Sequence, residues 1–229
     1  MTQRILSTAA TAARLIVPLL AAPLVAIPLV ATHARAAEAA ALAAPDRAAT
    51  LAAVESHLNG IRSLESEFIQ INPAGEAMKG TLAILRPGRM RIDYAPPVEN
   101  FVVADGSFVY VWDGELQQQS NAPIGSTLAD FLLRETIRLS GDVTVTGVTR
   151  AAGVLEVALV QTDDPGLGEL TLVFEEGMSG EVPLRLRKWR VLDGTGQMTE
   201  VALQNPRTGV ELDRDRFFFR DPSRKRERD

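Results

Sequence analysis

Apolar and polar residues alternate with a period of two through much of this chain, most clearly from Gly80 to Gly114, GTLAILRPGRMRIDYAPPVENFVVADGSFVYVWDG. The stretch reads as two successive β-hairpins, turning at Arg86-Pro87-Gly88 and at Asp105-Gly106. The first hairpin has two registers. A two-residue Pro87-Gly88 loop pairs Leu85 with Met90 and Ala83 with Ile92. A three-residue loop, Pro87 to Arg89, pairs Arg86 with Met90, Ile84 with Ile92 and Leu82 with Tyr94. The second register gathers Leu82, Ile84, Met90, Ile92 and Tyr94 on one face with Arg86 at its edge, and this amphipathic split favours it. One guanidinium then sits on an apolar face. It either snorkels into water at the hairpin tip or donates to a segment packed over the sheet, since arginine keeps its charge and offers five fixed donors.

The second hairpin is apolar on both faces. Phe101, Val103, Phe108, Tyr110 and Trp112 share one, and Val102, Ala104, Val109 and Val111 the other, so both require cover. Upstream, Pro45-Asp46 predicts a helix start with Asp46 as N-cap. Leu51, Val54 and Leu58 form its stripe, widened by Ala48 and Ala52, and Asn59-Gly60 ends it with glycine at the left-handed position. Residues 61–72 alternate as a strand, and residues 73–79 are a turn region. After the hairpins come a polar run at residues 115–119 and a loop. A short helix follows, capped by Ser126 or Thr127 and carrying Leu128, Phe131 and Leu132, with Ile137 and Leu139 as possible extensions. From Asp142 the pattern is β-rich: residues 142–149, 154–161, 167–174, 182–192 and 197–203, closed by Val210-Glu211-Leu212 and Phe217-Phe218-Phe219. The total is one sheet of roughly nine to eleven strands with few helices, and an antiparallel meander of that length curls. If it stays open, the helices can lie over its concave side as a lid above an apolar cavity.

The first 36 residues differ in kind. Arg4 and Arg14 precede an uncharged apolar run from Leu15 to Val30, broken by Pro18, Pro23 and Pro28, and Ala34-Arg35-Ala36 is an A-x-A site. This predicts a secretory signal peptide over 1–36, cleaved between Ala36 and Ala37, and export. A connector (37–45), a single domain (46–222) and a charged flexible tail (223–229) follow. The net charge is −5 and the leader carries only basic charges, so the exported part is more acidic still, which argues against nucleic acid as a partner.

The chain has no cysteine and two histidines, of which His33 lies in the leader. That removes a thiol nucleophile, a lipobox and cysteine-ligated zinc, and leaves His57, read as a surface residue, too isolated for a triad or a multi-histidine metal site. Neither cofactor nor metal is expected. Glu65 and Glu67 share a strand face and form the best carboxylate pair for a hydrolase, although such pairs are usually a solvated face. Asp163-Asp164-Pro165-Gly166 and Glu175-Glu176-Gly177 are turn chemistry.

Taken in order, Leu64-Glu65-Ser66-Glu67-Phe68-Ile69-Gln70, Gly80-Thr81-Leu82, Arg86-Pro87-Gly88-Arg89-Met90-Arg91-Ile92-Asp93-Tyr94, Pro96-Pro97, Val102-Val103-Ala104-Asp105-Gly106, Val109-Tyr110-Val111-Trp112 and the ending from Leu212 through Phe217-Phe218-Phe219-Arg220-Asp221-Pro222 resemble the LolA family of periplasmic outer-membrane lipoprotein carriers. The resemblance implies a mainly β fold with some α: an open, unclosed antiparallel β-barrel covered by a lid of short helices. It implies no enzyme activity but a carrier that shields lipoprotein acyl chains. The carrier, as a monomer in the periplasm, would take acylated lipoproteins from an inner-membrane ABC transporter and pass them to an outer-membrane acceptor lipoprotein.

The family's lid-clasping arginine maps onto Arg86. The cavity is expected to be lined by Leu82, Ile84, Met90, Ile92, Tyr94, Phe101, Val103, Phe108, Tyr110 and Trp112, and the lid to carry Leu51, Val54, Leu58, Leu128, Phe131 and Leu132. Met90 and Ile92 replace aromatic positions of the family, which reduces bulk on that face. Two other readings keep the fold: a carrier of another envelope lipid, and a periplasmic lipid-sensing regulatory domain.

Overall fold

The computed structural model describes residues 40–41, 44–127, 129–177 and 184–223. The 1–36 leader, the 224–229 end of the tail and Leu128 lie outside them. Among the described residues twelve strands form a single antiparallel sheet. They are β1 (Ala40–Ala41), β2 (Ser63–Ile71), β3 (Ala77–Leu85), β4 (Arg89–Tyr94), β5 (Phe101–Asp105), β6 (Phe108–Asp113), β7 (Gln118–Pro123), β8 (Val143–Ala151), β9 (Val154–Gln161), β10 (Gly168–Glu176), β11 (Leu184–Asp193) and β12 (Met198–Thr208). The sheet order is β1-β8-β9-β10-β11-β12-β2-β3-β4-β5-β6-β7, and among the described residues β1 and β7 are edges with one neighbour each, so the sheet is not closed there. Among the described residues two α-helices accompany it, α1 (Ala44–Gly60) and α2 (Ala129–Leu133). No helix among the described residues is long and apolar enough to cross a membrane.

Alternation along each strand sends one set of side chains to the face that carries α1, here the inner face. On β9 these are Leu155, Val157 and Leu159, and on β10 Leu170, Leu172 and Phe174, all buried. A bulge between β10 and β11 pairs Phe174 with Leu186 but Leu172 with Trp189, so Leu184, Leu186 and Trp189 all reach that face. One buried cluster joins residues of β2–β6 and β8–β12 to Val54 and Leu58 of α1 and to Phe131, Leu133, Ile137 and Leu139. A single cluster can draw on nearly every strand only if the sheet curls around the helical layer. The outer face carries cross-strand ion pairs instead, such as Lys188–Glu200 at 2.9 Å and Arg187–Glu175 at 2.9 Å.

Several expectations are corrected. Helix α1 begins at Ala44, so Asp46 lies in its first turn and is not the N-cap. Ala48 and Ala52 are exposed; Thr50 is buried instead and accepts a 3.2 Å hydrogen bond from Arg150 Nη2. Gly60 is not left-handed, and Asn59 ties α1 to Ile137. The connector contains β1, which pairs with β8. The polar run continues into β7, a strand without apolar alternation because it is an edge with one neighbour. Val210–Leu212 and Phe217–Phe219 do not close the sheet: Arg214–Phe217 is a short 3-10 helix packed near β4 and β5.

Candidate functional site

The register of the first hairpin pairs Leu85 with Arg89, Ile84 with Met90, Leu82 with Ile92 and Gly80 with Tyr94. Neither sequence-derived register is met. The favoured one is displaced by two residues, which preserves the face of every side chain. The loop amides explain the shift. Arg86 N–H donates to Arg62 O at 2.9 Å and Gly88 N–H to Leu133 O at 2.7 Å, so both are spent on other segments and not on the hairpin ladder. Gly88 has φ +76°, and a Cβ there would come within 2.8 Å of the Gly106 Cα, so the two hairpin turns touch where only glycine fits.

Arg86 continues the inward parity of Leu82 and Ile84 and is only 8% exposed. Its Nη2 donates to Leu58 O, in the last turn of α1, where carbonyls lack helical partners and the helix dipole is negative. Burial, and secondarily the nearby Arg62 charge, lowers the Arg86 pKa to about 10, so it remains a cation at neutral pH. The same layer is tied at other points. Asn59 Nδ2 donates to Ile137 O at 2.9 Å while its Oδ1 accepts from Ile137 N at 2.8 Å. Leu139 N donates to Glu55 Oε1 at 2.6 Å, and Arg62 Nη1 to Glu135 O at 3.0 Å.

Beneath this layer, Leu58, Ile61, Leu64, Ile84, Leu132, Ile137, Leu186 and Trp189 enclose, with Arg86, a space of only 20 Å³. A larger cavity of 360 Å³ adjoins it, sharing Ile61, Leu64 and Leu186 and reaching His57, Leu184 and Leu203. His57 is not a surface residue. It is half-buried with its ring edge-on to Phe174 at 5.9 Å, and burial lowers its pKa.

The predicted site residues divide. Leu82, Ile84 and Met90 are buried in the inner cluster, with Ile92 and Tyr94 half-buried against it; Tyr94 Oη donates to Gln70 Oε1 at 2.9 Å. Val54, Leu58 and Phe131 are buried in the helical layer and Leu51 and Leu132 pack beside them. Phe101, Val103, Phe108, Tyr110 and Trp112 lie on the other face. The pairs Met90–Ala104 and Ile92–Val102 put Val102, Ala104 and Val109 inside and the aromatic set outside. Both faces of that hairpin are apolar, so alternation alone leaves the choice open; pairing to β4 decides it. The C-terminal segment covers part of the outer set: the Phe219 ring stacks on Tyr110 at 5.0 Å and lies 5.8 Å from Phe101, and Phe217 is buried, whereas Phe108 is exposed. Leu133, Leu186 and Trp189 belong to the inner site but were not among the sequence-derived candidates.

The carboxylate pair does not form an acid–base site. Glu65 is held by Arg216 at 2.7 Å and Arg207 at 2.5 Å, and these hydrogen bonds lower its pKa, the opposite of what a general acid needs. Glu67 is exposed. Among the described residues no cluster of His, Asp or Glu has metal-binding geometry.

The family model described as "Outer membrane lipoprotein carrier protein LolA" matches residues 59–220. An outer-membrane lipoprotein carrier protein of Methylococcus capsulatus is 28% identical over 179 residues, 74% of this chain and 83% of that protein. One from Alkalilimnicola ehrlichii is 32% identical over 191 residues, 77% of this chain and 82% of that protein. Among solved structures, a LolA superfamily protein from Nitrosomonas europaea aligns over 74% of this chain and 97% of its own, at 10% identity and a TM-score of 0.41. With the match extending from the last two residues of α1 through Arg86 and every strand from β2 to β12, this chain belongs to the LolA family of outer membrane lipoprotein carrier proteins.

Proposed function

We propose that this protein is a non-enzymatic periplasmic carrier. It shields the acyl chains of lipoproteins between its helical layer and the inner face of its sheet, and moves them from an inner-membrane ABC transporter to an outer-membrane acceptor. Arg86 acts as the clasp of a two-state lid, closed when empty and open when loaded. The observation that carries the reading is the contact from Arg86 to Leu58 O, a buried cation that ties the sheet to α1 within a largely apolar interface.

The energetics suit a carrier. Burying a methylene is worth roughly 0.8 kcal/mol, so one long acyl chain brings about 10 kcal/mol. Part of this goes into parting the helical layer from Ile84, Leu186 and Trp189, which leaves binding weak enough for release. The lining for cargo is the inner set: Leu82, Ile84, Met90, Ile92, Tyr94, Val102, Ala104 and Val109. The outer aromatic set has no part in it. Mass spectrometry of material co-purifying from the periplasm tests the reading. Triacylated or diacylated lipoproteins are expected; another envelope lipid alone would redirect it, and an empty protein that takes up no acylated cargo would refute it.

A further inference from the structure

Arg86 has five N–H donors, and the protein uses few of them. Nη2 meets Leu58 O, whereas Nε and Nη1 are buried and meet no acceptor among the described residues. No carboxylate pairs with Arg86 there, although Arg91, Arg134, Arg150 and Arg190 each have one. The guanidinium is more than nine-tenths buried and faces the enclosed apolar space beside Leu58, Ile84, Leu132, Ile137, Leu186 and Trp189. A buried donor without an acceptor is costly, and a buried cation more so.

A pure hydrocarbon guest that displaces α1 would remove the Leu58 carbonyl and leave the cation facing alkyl chains. A guest with carbonyl oxygens at the head of its chains has the opposite effect. Its chains spread over the apolar lining while the carbonyls accept from the freed Nη2 and from Nε and Nη1. We propose, building on the carrier reading above, that Arg86 makes the site selective for acyl lipids, whose ester or amide carbonyls accept its hydrogen bonds, over alkyl lipids of equal chain length. The Arg86 that ties down the empty lid would then recognise the linkage of the guest.

The test uses two short-chain glycerolipids of equal chain length, one diacyl (ester-linked) and one dialkyl (ether-linked), displacing an apolar fluorescent reporter from the wild-type protein and from the Arg86→Leu and Arg86→Lys variants. The wild type should prefer the ester by about tenfold, the scale of one hydrogen bond to a charged group. The preference should vanish in Arg86→Leu and persist in part in Arg86→Lys. Opening the lid precedes entry of either guest, so loss of the clasp cancels in the ratio. Equal affinities in the wild type, or an ester preference that survives in Arg86→Leu, overturn the proposal and leave the carrier reading standing. Failure of both probes to displace the reporter from the wild type overturns the carrier reading, and the selectivity with it. Arg86→Lys keeps the charge and guards against a Leu variant that does not fold.

Discussion

Arg86, on the loop after β3, reaches across the inner face of the sheet to donate to the carbonyl of Leu58 in the last turn of α1. It joins the sheet to a helical layer otherwise held mainly by apolar packing, so it should govern how often that layer lifts. In Arg86→Leu the guest-free protein should exchange the amides of Gly88, Ile137 and Leu139 about tenfold faster, since a hydrogen bond to a charged group is worth roughly 1.5–3 kcal/mol. Those amides bond to Leu133 O, Asn59 Oδ1 and Glu55 Oε1, and so report on the layer directly. Unchanged or slower exchange would contradict the clasp.

Asn59 satisfies both the N–H and the C=O of Ile137, a residue only 1% exposed. Asn59→Ala leaves both groups without those partners, at a cost of about 2–4 kcal/mol. The melting temperature should fall by roughly 5–15 °C, read by circular dichroism.

His57 gives the fold a pH dependence whose sign is fixed. Burial lowers its pKa below 6.5, so the unfolded chain takes up the proton first as pH falls. The stability from neutral His57 is complete above the unfolded value and is lost as pH drops through it toward the lower folded value. Denaturant midpoints should therefore fall between about pH 7 and pH 5, and the decline should be shallower in His57→Gln.

Phe217 separates the two faces. It is 1% exposed and sits outside the inner cluster, on the 3-10 helix near β4 and β5. Phe217→Ala should cost about 3–5 kcal/mol of stability, as large-to-small core changes do. If cargo lies on the inner face as proposed, lipid affinity measured well below the lowered melting temperature should stay within twofold of wild type. A tenfold loss of affinity in a folded variant would return Phe101, Tyr110 and Trp112 to the binding surface.

Periodicity made the strands β2 to β4 and β8 to β12 legible, because alternation marks their buried face, while β5 and β6 were legible as apolar runs on either side of the Asp105-Gly106 turn. It also placed Arg86 with Leu82, Ile84 and Met90, a result that survives the two-residue displacement of the hairpin. What it left unread has local causes. Strand β7, Gln118–Pro123, has one neighbour and little apolar burial, so nothing in its composition marks a strand. The Phe217–Phe219 run resembles a buried strand, yet its rings cover the outer side of β5 and β6. The inward face of the second hairpin depends on the long-range partners Met90–Ala104 and Ile92–Val102, which no local pattern contains. The Asn59–Ile137 tie joins residues 78 positions apart, through a side chain that reads locally as a helix stop.

The most direct test of a lid that opens around its cargo is a distance between helical layer and sheet. The chain has no cysteine, so Ser56→Cys on α1 and Thr81→Cys on β3, both exposed, accept spin labels without background. Pulsed electron resonance should give one short distance in the empty protein and a longer one when an acylated lipoprotein is bound, with no change for the same lipoprotein stripped of its acyl chains. Bound acylated cargo with an unchanged distance would contradict the account.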